Sequence, residues 1–152
     1  MRLDALAAAS VAWCAAVKRI HVVAALIPDP KDGRRYLVQQ RLPDKSRANL
    51  WEFPGGKVEP GETEAVALKR ECHEELAVDL DVGAKLWSTV HAYADLVVEL
   101  DLLWATIRQG EPQALGAQAI RFCTPAEMKR LPFCEADLPL LDALDRGEIG
   151  PR

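Results

Sequence analysis

Four charged residues lie close together near the middle of the chain: Arg70, Glu71, Glu74 and Glu75. On a helix that turns by about 100° per residue, the three glutamates fall within an arc of roughly 100°. Like charges at these spacings weaken a helix by roughly 0.2–0.5 kcal/mol per pair. Carboxylate oxygens are also the ligands that suit Mg²⁺ or Mn²⁺. The pattern therefore indicates either a solvated acidic face or a site for a divalent metal ion.

The residues that precede this helix favour the metal site. Gly55 and Gly56 are predicted to form a turn whose backbone can approach a ligand closely, and Glu62 adds a further carboxylate. A metal ion would offset the repulsion between this acidic site and an anionic substrate, and it would activate a water molecule. The predicted chemistry is metal-assisted hydrolysis of a phosphate compound.

The segment from Gly56 to Val78, GKVEPGETEAVALKRECHEELAV, resembles the Nudix box, Gly-x5-Glu-x7-Arg-Glu-U-x-Glu-Glu-x-Gly-U, in which U is apolar. Six of its seven fixed positions match: Gly56, Glu62, Arg70, Glu71, Glu74 and Glu75. Cys72 and Val78 fill the apolar positions. Ala77 stands where the family has glycine. A left-handed residue is expected there, after the helix end, so alanine should cost about 1 kcal/mol.

The resemblance implies a role for each matching residue. The carbonyl of Gly55 and the carboxylates of Glu71, Glu74 and Glu75 would bind Mg²⁺, or alternatively Mn²⁺. Glu71 would also be the base that activates the water.

Three flanking residues complete the implied catalytic set. Arg70 would orient the glutamates through an ion pair with Glu62. Lys57 would reach the substrate phosphates, although a solvated loop lysine is an equally good interpretation of that residue.

Over about residues 20–146 the chain is most similar to the MutT-type (deoxy)nucleoside triphosphate pyrophosphohydrolases. In that group, water attacks the β-phosphorus of the substrate and releases a nucleoside monophosphate and pyrophosphate. The segment from Leu50 to Glu59, LWEFPGGKVE, carries this resemblance. It implies a nucleobase pocket formed by Arg41, Phe53, Tyr93 and Asp137. Two alternatives stay open: Phe53 is a core residue, or Asp137 caps the last helix.

Two departures from the family pattern matter: the one at Asp137 loosens the substrate assignment, and the one at Gly116 bears on catalysis. Asp137 replaces the asparagine of MutT, and Gly116 stands where many relatives have a glutamate, two residues before Gln118. We expect Glu71 to carry more of the catalysis, and the substrate to be either 8-oxo-dGTP or an oxidised or normal pyrimidine triphosphate. The alternatives are a non-catalytic nucleotide-binding Nudix module and a Nudix hydrolase of another nucleoside diphosphate derivative.

Composition limits the other classes of function. The chain has 152 residues and a formal net charge of −4, which argues against binding a nucleic-acid polymer. No apolar run approaches the length of about 18 residues that a membrane span needs. The four cysteines include no CxxC pair, which is typical of reduced thiols in a cytoplasmic protein. We expect a monomer or homodimer.

The elements that would position the site follow from patterns of apolar and turn residues. Strands are predicted at 21–27 and 36–40, paired as a hairpin, and at 85–92, 96–107 and 120–123. Residues 51–56 are predicted to be a short strand that ends in the Gly55–Gly56 turn. Helices are predicted from the N-cap Thr63 to Leu76, over 124–127 and over 135–144. The order predicts an α+β protein with the Nudix fold, an α/β/α sandwich with a mixed β-sheet between helices.

The predicted domain organisation has three parts. Residues 20–146 form the Nudix domain, and residues 147–152 form a tail. Residues 1–19 form an extension with an apolar stripe at helical spacing, although Arg2 and the apolar run that follows it also faintly resemble a signal peptide.

Overall fold

A computed structural model describes residues 17–150 of the chain. The predicted helix in the N-terminal extension falls almost entirely on residues 1–16, outside the described residues. Residues 17–150 form eight strands and three helices in this order: β1 (Arg19–Leu26), β2 (Pro28–Asp29), β3 (Asp32–Gln40), β4 (Trp51–Glu52), β5 (Gly55–Lys57), α1 (Glu64–Leu76), β6 (Asp79–Ala92), β7 (Val97–Gln109), β8 (Ala119–Cys123), α2 (Pro125–Met128) and α3 (Leu138–Asp145), the last preceded by a 3₁₀ turn (Glu135–Asp137).

The strands form two four-stranded sheets. One has the order β5-β1-β7-β6, and in the other β3 lies between β8 and the short strands β2 and β4. The pair β1–β7 is parallel and the other pairs are antiparallel, so the first sheet is mixed, as predicted.

Strand β1 is buried on both faces, which explains its nearly continuous apolar sequence. Val23 and Ala25 point into a core shared with α1, whereas Ala24 and Leu26 point into a second core shared with α3. The sheet layer is thus covered by helices on both sides, and the predicted α/β/α sandwich is confirmed. No helix among residues 17–150 is both long enough and apolar enough to cross a membrane.

Helix α1 begins and ends where the sequence predicts. The Thr63 hydroxyl caps it by accepting the Val66 N–H at 3.2 Å, and Leu68, Cys72 and Leu76 are its buried face. Ala77 ends the helix in the left-handed conformation, with φ 58° and ψ 33°. Because one face is fixed in the core, the edge that carries the glutamates has a fixed direction.

Two predictions about the strands were wrong. The strand at 21–27 does not form a hairpin with the strand at 36–40: β1 pairs with β5 and β7, and β3 has β2 as its hairpin partner. The chain passes from one sheet to the other at Ile27, whose carbonyl accepts the Leu37 N–H at 2.9 Å. Apolar pattern predicts a strand but not its partner.

The predicted strand at 51–56 is divided between the two sheets. Pro54 separates β4 from β5, and Gly55 and Gly56 are extended residues paired with Ala24 and Val23 rather than a turn. Glycine is needed because a Cβ on Gly55 would lie 2.0 Å from the Val23 carbonyl oxygen. The glycines therefore allow close strand contact and bring this backbone alongside α1.

We expect Ala77→Gly to stabilise the protein by about 1 kcal/mol, because glycine adopts the left-handed conformation without a Cβ penalty. The melting temperature should rise by about 2–4 °C for a chain of this size. The matched control is Ala65→Gly inside α1, which should be neutral or destabilising. A fall in melting temperature for Ala77→Gly would contradict this account of the helix end.

Candidate functional site

The glutamate edge of α1 borders a cavity of about 510 Å³. Its carboxylate end is lined by Gly55, Gly56, Glu71 and Glu75, and Lys57 stands beside it. Glu74 does not line the cavity and its side chain is 59% exposed. A cavity of this size can hold a small ligand such as a nucleotide.

Arg70 forms ion pairs with the carboxylates of Glu62, Glu71 and Glu74. It donates two hydrogen bonds of 2.8 Å to Glu62 and one of 2.9 Å to Glu71, and it lies 3.6 Å from Glu74. The Lys57 carbonyl also accepts from it at 3.2 Å. Hydrogen bonds from Arg70 and from the Glu59 N–H lower the pKa of Glu62 to about 2. This network keeps Glu62 ionised and fixes the Glu71 side chain.

Gly56 makes room for the Glu71 carboxylate. A Cβ at this position would lie 2.3 Å from the Glu71 carboxyl carbon and 2.5–2.7 Å from its oxygens. The carboxylate therefore rests directly on the backbone of β5. Only glycine allows α1 and β5 this approach.

Glu75 lies deeper in the same cavity. Burial, and then the nearby negative charge of Glu71, raise the pKa of Glu75 to about 7. Gln39 is a polar partner of this carboxyl group, with Nε2 3.5 Å from a Glu75 oxygen. A positive charge beside Glu75 would therefore favour its ionised form at neutral pH.

Gly116 packs against the end of α1. Its N–H and that of Leu115 donate to the Glu75 carbonyl, and a Cβ at 116 would lie 2.8 Å from Glu75 Cγ. The sequence indicated only that a glutamate is absent here. The structure adds that this backbone leaves no room for a side chain unless Glu75 moves.

The guanidinium of Arg41 is already hydrogen-bonded to other groups of the protein. Its guanidinium donates to both Glu52 oxygens at 2.9 and 3.1 Å and to the Ser46 carbonyl at 2.8 Å. Burial opposes its charge, but Glu52 outweighs that effect and raises the pKa of Arg41. Arg41 lines the cavity, and its contact with a nucleobase stays a prediction.

The two aromatic residues of the predicted pocket differ from each other. Phe53 is 3% exposed and packs edge-on against Phe133, so its ring belongs to the core even though the residue borders the cavity. Tyr93 lines the cavity, and its hydroxyl accepts the Ala136 N–H at 2.9 Å. One face of its ring is covered by the guanidinium of Arg47, 3.6 Å from the ring centre. That face is available to a base only if Arg47 moves.

Asp137 is buried at the far part of the cavity and accepts the Phe53 N–H at 3.0 Å. Burial, and then the charge of Glu52, raise the pKa of Asp137 to about 8. Its side chain makes no capping hydrogen bond to α3, so the interpretation of Asp137 as a helix cap is wrong. We call Arg41, Tyr93, Cys134 and Asp137 the base end of the cavity.

Sequence reasoning did not assign several residues of the cavity wall, among them Gln39, Arg47 and Glu52. Gln39 pairs with Glu52 across β3 and β4 and reaches towards Glu75. Glu52 lies within the segment LWEFPGGKVE, whereas Gln39 and Arg47 belong to no motif and reach the cavity only through their positions in a paired strand and in the loop after β3.

A second group of ligand-type side chains lies outside the cavity wall. Among residues 17–150, one set of His, Cys, Asp or Glu has ligand atoms that all lie within 4.8 Å of one another: His21, Glu64 and Asp101. Lys85 already supplies a cation, with Nζ 2.8 Å from Glu64 and 3.6 Å from Asp101. Glu71, Glu74 and Glu75 do not form such a set.

Comparison with known proteins agrees with this geometry. The family model described as NUDIX domain matches residues 23–143. The chain is 39% identical over 127 residues to the CTP pyrophosphohydrolase of Escherichia coli (strain K12), covering 84% of this chain and 92% of that protein. It is 34% identical over 89 residues to the 8-oxo-dGTP diphosphatase of Proteus vulgaris, covering 59% and 78%. The solution structure of the E. coli ORF135 protein is similar, with a TM-score of 0.72, 35% identity and coverage of 88% and 94%.

We expect the buried Asp137 to make the stability of the protein dependent on pH. Its folded-state pKa of about 8 lies above the ordinary value of 3.8, so its contribution to stability is complete below about pH 4 and is lost as the pH rises through about 8. Asp137→Asn cannot ionise and keeps an acceptor for the Phe53 N–H.

Thermal unfolding without added metal or nucleotide measures this effect. Between about pH 6 and pH 9 the melting temperature of the wild type should fall relative to that of Asp137→Asn. Glu75 titrates in both proteins and cancels from the comparison. If the melting temperatures of the two proteins change in parallel with pH, Asp137 is not protonated in the folded protein.

Proposed function

The chain belongs to the Nudix family as a MutT-like hydrolase, and we propose that it cleaves a (deoxy)nucleoside triphosphate to a nucleoside monophosphate and pyrophosphate. The observation that carries the proposal is a single cavity with two unlike ends. Glu71, held by Arg70, and Glu75 line one end, and the buried Asp137 lies at the other. This arrangement suits a ligand with a phosphate chain at one end and a hydrogen-bonding base at the other.

The carboxylate end fits a divalent cation, and Nudix hydrolases generally use one. Its donors are hard oxygens: the Gly55 carbonyl and the carboxylates of Glu71 and Glu75, with Glu74 beside them at the surface. The raised pKa of Glu75 supports a cation here, because a bound positive charge would relieve the repulsion by Glu71. Bound Mg²⁺ or Mn²⁺ would withdraw charge from the phosphoryl oxygens and acidify a water molecule.

The chain's own residues then have separable tasks. Glu71 would accept the proton of the attacking water, while Arg70 holds its carboxylate in place. Lys57 would bind phosphate oxygens from the edge of the cavity. Arg41, Phe53, Tyr93 and Asp137 would form the base pocket, with Phe53 contributing its backbone through Asp137 rather than by stacking.

For the substrate we favour a pyrimidine triphosphate such as CTP, because the relative named CTP pyrophosphohydrolase aligns over most of both chains. The match to an 8-oxo-dGTP diphosphatase covers less of this chain and makes oxidised guanine nucleotides the second candidate. A protonated Asp137 would donate a hydrogen bond to an acceptor on either base.

Phosphate release from normal and oxidised nucleoside triphosphates, with added inorganic pyrophosphatase and Mg²⁺, tests the proposal. We expect turnover that excess EDTA abolishes. Full activity in EDTA would remove the metal mechanism. Tight nucleotide binding with no turnover of any substrate would favour the non-catalytic module instead.

We expect Glu71→Gln to lower kcat by about 10²- to 10⁴-fold, the usual effect of losing a general base, with an unchanged fold. The control is Glu99→Gln, the same change at an exposed residue of β7 that pairs with Arg19. Melting temperatures of both variants check the fold. Turnover of Glu71→Gln at the rate of the wild type would reject Glu71 as the base.

We also expect Gly56→Ala to lower kcat by about 10- to 100-fold, because the new methyl group displaces the Glu71 carboxylate. The matched control is Gly33→Ala, since nothing lies within 4 Å of a Cβ there. If both variants keep normal kcat, the precise position of Glu71 is not important for turnover.

A further inference from the structure

We propose that Arg47 is a specificity-determining residue that hydrogen-bonds a carbonyl oxygen of the substrate's nucleobase. This inference rests on the proposed function, because it assigns a task at the base end of the same cavity. Arg47 belongs to none of the motifs in the sequence.

The backbone at Arg47 has a conformation that is unfavourable for residues other than glycine. Its φ is 54° and that of Asn49, two residues later, is 67°, so the loop after β3 contains two non-glycine residues in the left-handed conformation. Several hydrogen bonds maintain this shape. The Asn49 N–H donates to the Arg41 carbonyl at 3.2 Å, the Leu50 N–H donates to the Arg47 carbonyl at 3.3 Å, and Gln118 donates to the Asn49 side chain.

The guanidinium of Arg47 is fixed on two sides. It stacks on the ring of Tyr93 at 3.6 Å, and one terminal nitrogen donates to Asp95 at 2.6 Å. Tyr93 is itself tied to the backbone at Ala136, the residue before Asp137. Arg47 therefore stands at the base end, where its side chain is only 17% exposed.

One donor of this fixed group is unused. The Nε–H of Arg47 is buried and has no hydrogen-bond partner among residues 17–150. Arginine offers only donors, so the missing partner must be an acceptor. An unsatisfied buried donor is costly, and a ligand acceptor that meets it when the Arg47 side chain shifts towards the cavity recovers that cost on binding.

The chemistry of arginine selects the kind of base. A carbonyl oxygen in the plane of the base satisfies the donor, whereas an exocyclic amino group presents another donor and is rejected. Cytosine and hypoxanthine each have an exocyclic carbonyl oxygen, which projects about 1.2 Å beyond the ring, whereas the acceptors of adenine are ring nitrogens, which do not reach as far towards a recessed donor. The inferred substrate class is nucleotides with a carbonyl-bearing base, with adenine nucleotides disfavoured.

The test compares kcat/KM for CTP, ITP and ATP in Arg47→Met and the wild type. We expect kcat/KM to fall by about 10- to 100-fold for CTP and ITP and by less than about 3-fold for ATP, since a hydrogen bond from a charged donor is lost only with the first two. Asp95→Asn, which weakens the anchor of Arg47, should show a smaller loss in the same direction. The control is Arg34→Met, at an arginine whose side chain is 88% exposed.

A merely structural role for Arg47 would lower kcat/KM equally for all three nucleotides, and that result would overturn the inference, as would no change for any of them. Equilibrium binding of CMP, IMP and AMP, measured by calorimetry, separates this inference from the proposed function. If the wild type hydrolyses none of the triphosphates but prefers CMP and IMP over AMP, and Arg47→Met loses that preference, the proposed reaction fails and the role of Arg47 stands.

Discussion

Repulsion among glutamates on one edge of α1 is the constraint around which the site is built. Arg70 offsets part of it with a hydrogen bond to Glu71 and a contact of 3.6 Å with Glu74. Burial, and then the charge of Glu71, leave Glu75 with a raised pKa. We propose that a divalent cation would supply the missing positive charge at the point where an anionic phosphate chain must also be accommodated.

At the base end of the cavity the main constraint is burial rather than repulsion, because polar and charged groups there are shielded from water. Asp137 avoids the cost of a buried charge by holding its proton, and Glu52 is matched by Arg41. The guanidinium of Arg47 stacks on Tyr93 and pairs with Asp95. We propose that groups arranged in this way hydrogen-bond a neutral base rather than a further phosphate.

The sequence predicted the helix, its caps and its glutamate edge well, because these features depend on local spacing. Thr63, Leu76 and the left-handed Ala77 lie where the pattern placed them. Strand partners were predicted less well. Strands β1 and β3 belong to different sheets, and the order of the strands along the chain does not reveal that. Arg47 and Gln39 reach the cavity only through tertiary folding, and the stacking of Arg47 on Tyr93 has no signal in the sequence.

The identity of the products tests the central claim most directly. CTP incubated with the enzyme and Mg²⁺ in ¹⁸O-labelled water, and followed by ³¹P NMR, should yield CMP and pyrophosphate, with the label in pyrophosphate because water attacks the β-phosphorus. Formation of CDP and inorganic phosphate, or of CMP that carries the label, would contradict the proposed reaction.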